Sequence, residues 1–68
     1  MQITINGEKE LIPGEEISVS LLLKIKKVES PDMVSVQING EIIDRASFSS
    51  TIIMENDEVE FLYFMGGG

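Results

Sequence analysis

Apolar and polar residues alternate along two stretches of the chain, and each stretch ends in Asn-Gly. The stretches are "MQITING" at residues 1–7 and "MVSVQING" at residues 33–40. A period of two predicts a strand with one buried face. Asn-Gly favours a two-residue hairpin, because its turn needs positive φ at both central residues. The predicted buried faces consist of Met1, Ile3 and Ile5 in the first strand and Val34, Val36 and Ile38 in the second.

Each predicted hairpin has a short return strand. The first covers residues 8–12, and Pro13-Gly14 stops it. The second lies within "EIIDR" at residues 41–45. The sequence therefore predicts two hairpins, one at each end of a central segment.

The central segment, "EEISVSLLLKIKKVES", carries a helical spacing of apolar residues. They recur at intervals of four, four and three, which predicts one buried helical face. Acidic residues near its start and lysines near its end suit the helix dipole. Ser18 is a candidate N-cap, but a start at residue 15 or 16 fits the spacing better, and residues 30–32, "SPD", end the helix. The predicted buried stripe consists of Ile17, Leu21, Ile25 and Val28, with Leu22 beside it.

The remaining chain predicts one more strand. Residues 46–54 have no regular period, residues 55–57 form a polar turn, and residues 58–65, "EVEFLYFM", form the last strand. The order β-β-α-β-β-β packs one helix on one sheet in an α+β domain. This domain covers residues 1–65, and a flexible Gly-rich tail covers residues 66–68. The packing anchors predicted in the irregular segment are Phe48, Ile52 and Ile53.

The last strand has apolar residues on both faces. Because a single helix covers one face of a sheet, Leu62 and Phe64 are expected on the other face, where Glu60 meets solvent. An exposed apolar pair of this kind indicates a partner site. The alternative is that both residues pack under the irregular segment. The opposite, buried face consists of Val59, Phe61, Tyr63 and Met65.

Composition limits the chemistry of this chain. It has no Cys and no His, so it lacks a thiolate, an imidazole base, disulfides and the usual zinc ligands. Self-sufficient catalysis is not expected. With 12 acidic and 5 basic residues and a net charge of −7, neither nucleic acid nor an anionic membrane is an expected partner. No signal peptide or membrane span is visible, which predicts a soluble cytoplasmic protein. The acidity serves solubility or steers the chain towards a basic partner.

The sequence ends in three glycines, and two interpretations of them differ. One is an unstructured leftover. The other is functional: without Cβ, Gly lets an extended chain pass through a narrow channel in another protein. The last carboxylate is a poor electrophile, so a partner enzyme must activate it before a nucleophile attacks.

Several stretches together resemble a known family. They are "MQITING", "PGEEI", "VQINGEIIDR", "NDEVEFLYF" and the Gly-Gly end. The chain resembles the ubiquitin-like sulfur carriers, and among them the ThiS family of thiamine biosynthesis more than the MoaD family. The resemblance implies a β-grasp fold, with a mixed sheet of four to five strands packed on one helix. It also implies that the first and last strands lie parallel at the centre of the sheet.

The resemblance further implies a function and partners. A ThiF-like adenylating enzyme uses ATP-Mg to activate the carboxylate of Gly68, and a sulfur donor such as a cysteine desulfurase converts it to a thiocarboxylate. A ThiG-like thiazole synthase then receives the sulfur. Gly66 and Gly67 thread into the partner, while Leu62 and Phe64 are the candidate docking residues. The protein is then a carrier and not an enzyme, monomeric when free, with no bound cofactor or metal.

Two alternatives remain open at this point. One keeps the chemistry and changes the recipient to molybdopterin synthase or another sulfur-transfer pathway, as in MoaD-type carriers. The other is a ubiquitin-like interaction module or protein modifier. Storage of sulfur on the backbone terminus accounts for the missing Cys in the carrier hypotheses.

Overall fold

A computed structural model describes residues 1–28 and 33–63 of the chain. Five strands form a mixed sheet of order β2-β1-β7-β4-β5, and β3 pairs with β6 in a second, two-stranded sheet. One α-helix, α1, packs against the larger sheet. The elements are β1 (Gln2–Ile5), β2 (Glu8–Leu11), β3 (Glu16–Ser18), α1 (Val19–Ile25), β4 (Val34–Ile38), β5 (Glu41–Ile43), a 3-10 helix (Arg45–Ser47), β6 (Ile52–Met54) and β7 (Glu58–Tyr63).

The first and last strands, β1 and β7, are parallel neighbours inside the five-stranded sheet. All other strand pairs are antiparallel. A mixed sheet of this order on a single helix is the ubiquitin-like β-grasp fold, so the predicted fold class is confirmed. In the described residues, no helix has both the length and the apolar character that a bilayer crossing requires.

Both predicted hairpins are present. Asn6 and Gly7 have φ values of 50° and 84°, and Asn39 and Gly40 have φ values of 51° and 86°. Positive φ at both central residues is what a two-residue hairpin turn requires. The strands before these turns alternate as predicted and contribute one face to the core.

The core lies between the sheet and α1. Branched aliphatic side chains from β1, β4 and β7 fill it, together with helix residues and two residues from the segment before β7. Apolar burial at about 25 cal/mol per Å² is the main stabilising term for a small domain of this kind. The buried residues are Ile3, Ile5, Ile12, Ile17, Val19, Leu22, Leu23, Val34, Val36, Ile38, Phe48, Ile53, Val59 and Phe61.

The predicted start of the helix at residue 15 or 16 is wrong. Ser18 is the N-cap: its backbone is extended, and its Oγ accepts a hydrogen bond from Leu21 N at 3.1 Å. Residues 16–18 form β3, which pairs with β6 in the register Ile17 opposite Ile53. Ile17 is therefore buried as a strand residue and does not belong to a helical stripe.

The predicted helical stripe is wrong at two of its members, whereas Leu22 is buried and Val28 packs against the core as predicted. Leu21 and Ile25 are 49% and 42% exposed, whereas the helix buries Val19, Leu22 and Leu23. The stripe failed because Ile17, counted as its first member, lies outside the helix. The buried face of the helix begins at Val19, directly after the N-cap Ser18.

The helix ends earlier than predicted, at Ile25. Lys27 takes a left-handed conformation with φ 58°, and its N–H donates to Lys24 O at 3.1 Å. Val28 N donates to Leu23 O at 3.0 Å. These two bonds form a Schellman motif, which satisfies the last helical carbonyls.

The segment before β7 is more regular than predicted. Phe48 and Ile53 are buried, as expected, but Ile52 is exposed, so its assignment as an anchor is wrong. Phe48 O and Thr51 O accept hydrogen bonds from Ser20 N and Val19 N, each at 3.0 Å. The segment thus occupies the first two backbone donors of α1 and closes one end of the core.

Candidate functional site: the last strand and the open sheet face

Strand β7 lies at the centre of the sheet and leads to the tail. It pairs with β4 over five residue pairs, from Ile38 opposite Val59 to Val34 opposite Tyr63. Its ladder with β1 is shorter and covers Thr4 opposite Glu58 and Ile5 opposite Val59. Phe64, Met65, Gly66, Gly67 and Gly68 follow in the sequence but lie outside the described residues, so the roles given to them stay predictions.

The two Asn-Gly turns extend the pairing of β7. Asn6 Oδ1 accepts from Phe61 N at 2.8 Å, beyond the end of the β1 ladder. Asn39 Oδ1 accepts from Glu58 N at 2.9 Å at the start of the strand. One side chain from each hairpin therefore holds the backbone of β7 near one of its ends.

The two faces of β7 differ as the alternation predicts. Val59 and Phe61 are buried in the core, and Glu60 and Leu62 are exposed on the other face. Leu62, with 45% exposure, lies opposite Ser35 of β4. We call this uncovered side of the five-stranded sheet the open face. Its residues, by register, are Gln2, Thr4, Lys9, Leu11, Ser35, Gln37, Ile42, Glu58, Glu60 and Leu62.

The open face contains two apolar residues that sequence reasoning missed. Ile42 is 71% exposed on the edge strand β5, and Leu11 is 82% exposed at the far edge, on β2. The signal for Ile42 was present: a two-residue turn at 39–40 pairs Gln37 with Ile42 and so places both on one face. By strand spacing and rise, the Cα atoms of Leu62 and Ile42 are roughly 12 Å apart.

Charged residues also lie on the open face. Glu58 and Glu60 lie on β7, and Lys9 lies on the same face two strands away. In the described part of the chain, no three His, Cys, Asp or Glu side chains converge on a metal site. No buried side-chain nitrogen or oxygen there lacks a hydrogen-bond partner. The arrangement suits surface contact with another protein, with Leu62 and Ile42 as its apolar residues and two carboxylates on the central strand β7.

Comparison with known proteins gives a family and two solved structures. The ThiS family model matches residues 2–68. The crystal structure of the thiamine biosynthesis protein ThiS from Geobacter metallireducens superposes with a TM-score of 0.89, is 43% identical and covers all of both chains. A solution structure of a thiamine biosynthesis protein from the same organism gives a TM-score of 0.83 at 43% identity, covering this chain fully and 88% of its own.

Two relatives known by sequence are more distant. A thiazole synthase from Magnetococcus marinus is 28% identical over the whole of this chain. The chain spans 20% of the length of that protein. An uncharacterized protein, ycf40, from Porphyra purpurea is 32% identical, and the match covers all of this chain and 93% of that protein.

Proposed function

The chain belongs to the ThiS family, and we propose that it is a sulfur carrier for thiazole synthesis in thiamine biosynthesis. One observation carries the proposal: the family match spans residues 2–68 and is joined by a full-length structural match at 43% identity to a thiamine biosynthesis protein. The match includes the Gly-rich end, which is where carrier chemistry would take place.

We propose that Gly68 is the reacting residue. A partner enzyme adenylates its carboxylate with ATP-Mg, and pyrophosphate leaves. The outer sulfur of a persulfide on a sulfur donor such as a cysteine desulfurase then attacks the carbonyl carbon, and AMP leaves. A second thiol of the donor cleaves the S–S bond of the resulting acyl disulfide, so the donor ends as a disulfide and the thiocarboxylate is released. The product is a thiocarboxylate at the chain end. This carrier supplies no catalytic side chain, and a composition without Cys or His is compatible with that role.

The recipient in this proposal is a thiazole synthase. The likeness to a longer protein named thiazole synthase supports that pairing, because a carrier-like segment there belongs to the same chain. Gly66 and Gly67 would pass through a narrow channel in each partner, since residues without Cβ allow close backbone approach. The clamped strand β7 would give this arm a fixed origin.

We propose that the part of the open face around Leu62 and Ile42 is the docking surface, and that the far edge at β2 lies outside it. Phe64, two residues beyond Leu62, is the further candidate from the strand alternation. A rigid sheet surface presents Leu62 and Ile42 at low entropic cost to a partner. The carboxylates of Glu58 and Glu60 on the same face favour a partner with basic residues beside its own apolar patch.

The first test is mass spectrometry of the intact protein. Incubation with the host's ThiF-like enzyme, ATP-Mg and a sulfur donor is expected to give the mass change of one oxygen replaced by sulfur. Deletion of Gly68, or addition of one residue after it, should abolish the change while the fold persists. Sulfur transfer to an extended chain would contradict the proposal.

The recipient needs its own assay. The purified thiocarboxylate is mixed with thiazole synthase or with molybdopterin synthase, and the loss of sulfur from the carrier is followed. Consumption by thiazole synthase is the expected result. Consumption by molybdopterin synthase alone would assign the chain to the other pathway, and an isopeptide bond to a lysine would indicate a protein modifier.

The docking surface is tested with a matched pair of substitutions. Leu62→Glu is expected to lower adenylation at limiting carrier concentration by about tenfold, because it puts a charge into the apolar centre of the contact. Leu11→Glu makes the same change at the far corner of the open face and is expected to leave the rate unchanged. Equal losses in the two variants would rule out a local contact at Leu62.

A further inference from the structure

The outer side of α1 carries apolar residues that the core does not use. Leu21 and Ile25 lie one turn apart and are 49% and 42% exposed. Lys24 lies beside them on the same side of the helix, and Lys27 follows at its end. We call these four residues the helix face. It lies on the layer of the domain opposite the open face of the sheet.

The helix face is basic, although the chain as a whole is acidic. Three of the five basic residues, Lys24, Lys26 and Lys27, lie at the end of α1. Lys26 forms a salt bridge with Glu10 of β2. In the described part of the chain, no ion pair engages Lys24 or Lys27, and both are exposed. In a protein of net charge −7, these two lysines form a local patch of positive charge.

An apolar groove adjoins the helix face. It lies between α1 and the segment at Phe48, has a volume of about 160 Å³, and is lined by Ser20, Leu23, Lys24, Val28 and Phe48. Pockets for small-molecule ligands span roughly 300–1,000 Å³, so this groove fits one apolar side chain better than a cofactor. Lys24 lines the groove and also belongs to the helix face, so the two surfaces are continuous.

The conformation of Lys27 is a further observation. Its φ of 58° is the left-handed region, where glycine is the residue that usually ends a helix. A residue with a side chain is less stable there than glycine. The chain thus has a lysine at a position where glycine would be more stable.

We infer that the helix face and its groove form a second docking surface, for an acidic segment of a partner protein that carries one apolar side chain. The apolar side chain enters the groove, and flanking carboxylates pair with Lys24 and Lys27. Leu21 and Ile25 extend the apolar contact. Because this surface lies opposite the open face, the carrier can be held from both sides at once. The inference does not depend on the sulfur-carrier proposal.

The probe is a synthetic peptide of Asp and Glu residues around a single Phe, added to the 15N-labelled full chain. The expected result is that amide signals of Ser20, Lys24, Val28 and Phe48 shift, while that of Leu62 does not. Two control peptides replace Phe by Ala or the acidic residues by Lys, and both are expected to bind more weakly. Shifts spread evenly over both layers, or equal binding of the Lys peptide, would overturn the inference.

A matched pair of charge reversals tests the lysine contacts. Lys24→Glu is expected to weaken peptide binding by about tenfold. Lys9→Glu makes the same change in net charge on the open face and should leave binding unchanged. Equal weakening by both would mean that only the total charge matters, which would overturn the assignment to the helix face.

The variant Lys27→Gly separates binding from stability. It fits the left-handed position, so the midpoint of denaturation should rise, while peptide affinity should fall several-fold because one charge is lost. Unchanged affinity would show that Lys27 does not contact the peptide and would overturn its assignment to the docking surface.

Anionic phosphatidylglycerol vesicles serve as a last comparison. Vesicles that shift the same amides while the peptide shifts none would assign the surface to a membrane and overturn the inference.

Discussion

The two Asn-Gly turns have the same sequence and nearly the same backbone, yet they act on opposite ends of β7. Asn6 accepts from the N–H of Phe61, a buried residue, near the end of the strand that leads to the tail. Asn39 accepts from the N–H of Glu58, which is exposed, at the beginning of the strand. Its amide also donates to Asp57 Oδ1 at 3.1 Å. The Asn6 side chain therefore has one hydrogen-bond partner, which is partly buried, and the Asn39 side chain has two, which are both exposed.

This difference indicates that the local turn signal and the tertiary role are separate properties. Positive φ at each turn follows from the dipeptide itself. The free energy of unfolding that each asparagine contributes depends on its surroundings, because water replaces a lost hydrogen bond at Glu58 N more readily than at Phe61 N. Substitutions at equivalent turn positions can separate the two contributions.

The largest loss is expected for Asn6→Ala, at about 2–4 kcal/mol of unfolding free energy. It removes the side chain that tolerates left-handed backbone and leaves the partly buried Phe61 N–H without its acceptor. Chemical denaturation measures the loss, and hydrogen exchange should speed up at the Phe61 amide. The control Asn6→Asp keeps an acceptor oxygen and should cost less than about 1 kcal/mol. A loss in Asn6→Ala no larger than in Asn39→Ala would break the distinction between the turns.

The next effect should be equal at the two turns. Gly7→Ala and Gly40→Ala are each expected to cost about 1–2 kcal/mol, since both positions have positive φ and an added Cβ meets no atom within 4 Å at either one. Denaturant midpoints of the two variants, compared side by side, check this. A clear inequality would show that tertiary contacts, and not the turn backbone, decide the cost at one of them.

The smallest effect is expected for Asn39→Asp, at about 1 kcal/mol. The change replaces the amide that donates to Asp57 with a carboxylate, so attraction becomes repulsion in an exposed place. Because salt screens exposed charges, the loss should shrink between low and high ionic strength. Asn39→Gly loses this bond and also the bond from Glu58 N, but it adds no charge, and its loss should not respond to salt. A salt-independent loss in Asn39→Asp would argue against the Asp57 contact.

The hairpins could be predicted because their signals are local. The alternation in β1 and β4 and the two Asn-Gly turns determine register, and register determines which residues reach the open face. Leu62 was placed correctly on the exposed face by alternation within β7 alone. Ile42 follows from the same register argument, applied across the second hairpin.

The start and the buried face of the helix could not be predicted as well as the hairpins, because Ile17 fits both a helical spacing and a strand. Ile17 is spaced correctly for a stripe with Leu21 and Ile25, but its burial arises from pairing with Ile53, far along the chain. The candidate N-cap Ser18 was the local signal for the true start, but the apolar spacing from Ile17 outweighed it in the prediction. Exposure of Leu21 and Ile25 follows from that long-range pairing.

By itself the sequence determined the two hairpins, the faces of β7, the absence of catalytic Cys and His, and the family resemblance that the comparisons confirm. These properties depend on residues close together in the chain or on composition. Only the tertiary structure decided where α1 begins, that β3 pairs with β6, and that β1 and β7 lie side by side, as the family resemblance implied. Those contacts join residues some 35 to 55 positions apart, as in Ile17 with Ile53 and Thr4 with Glu58. Their formation depends on burying a shared core, which no short window of sequence contains.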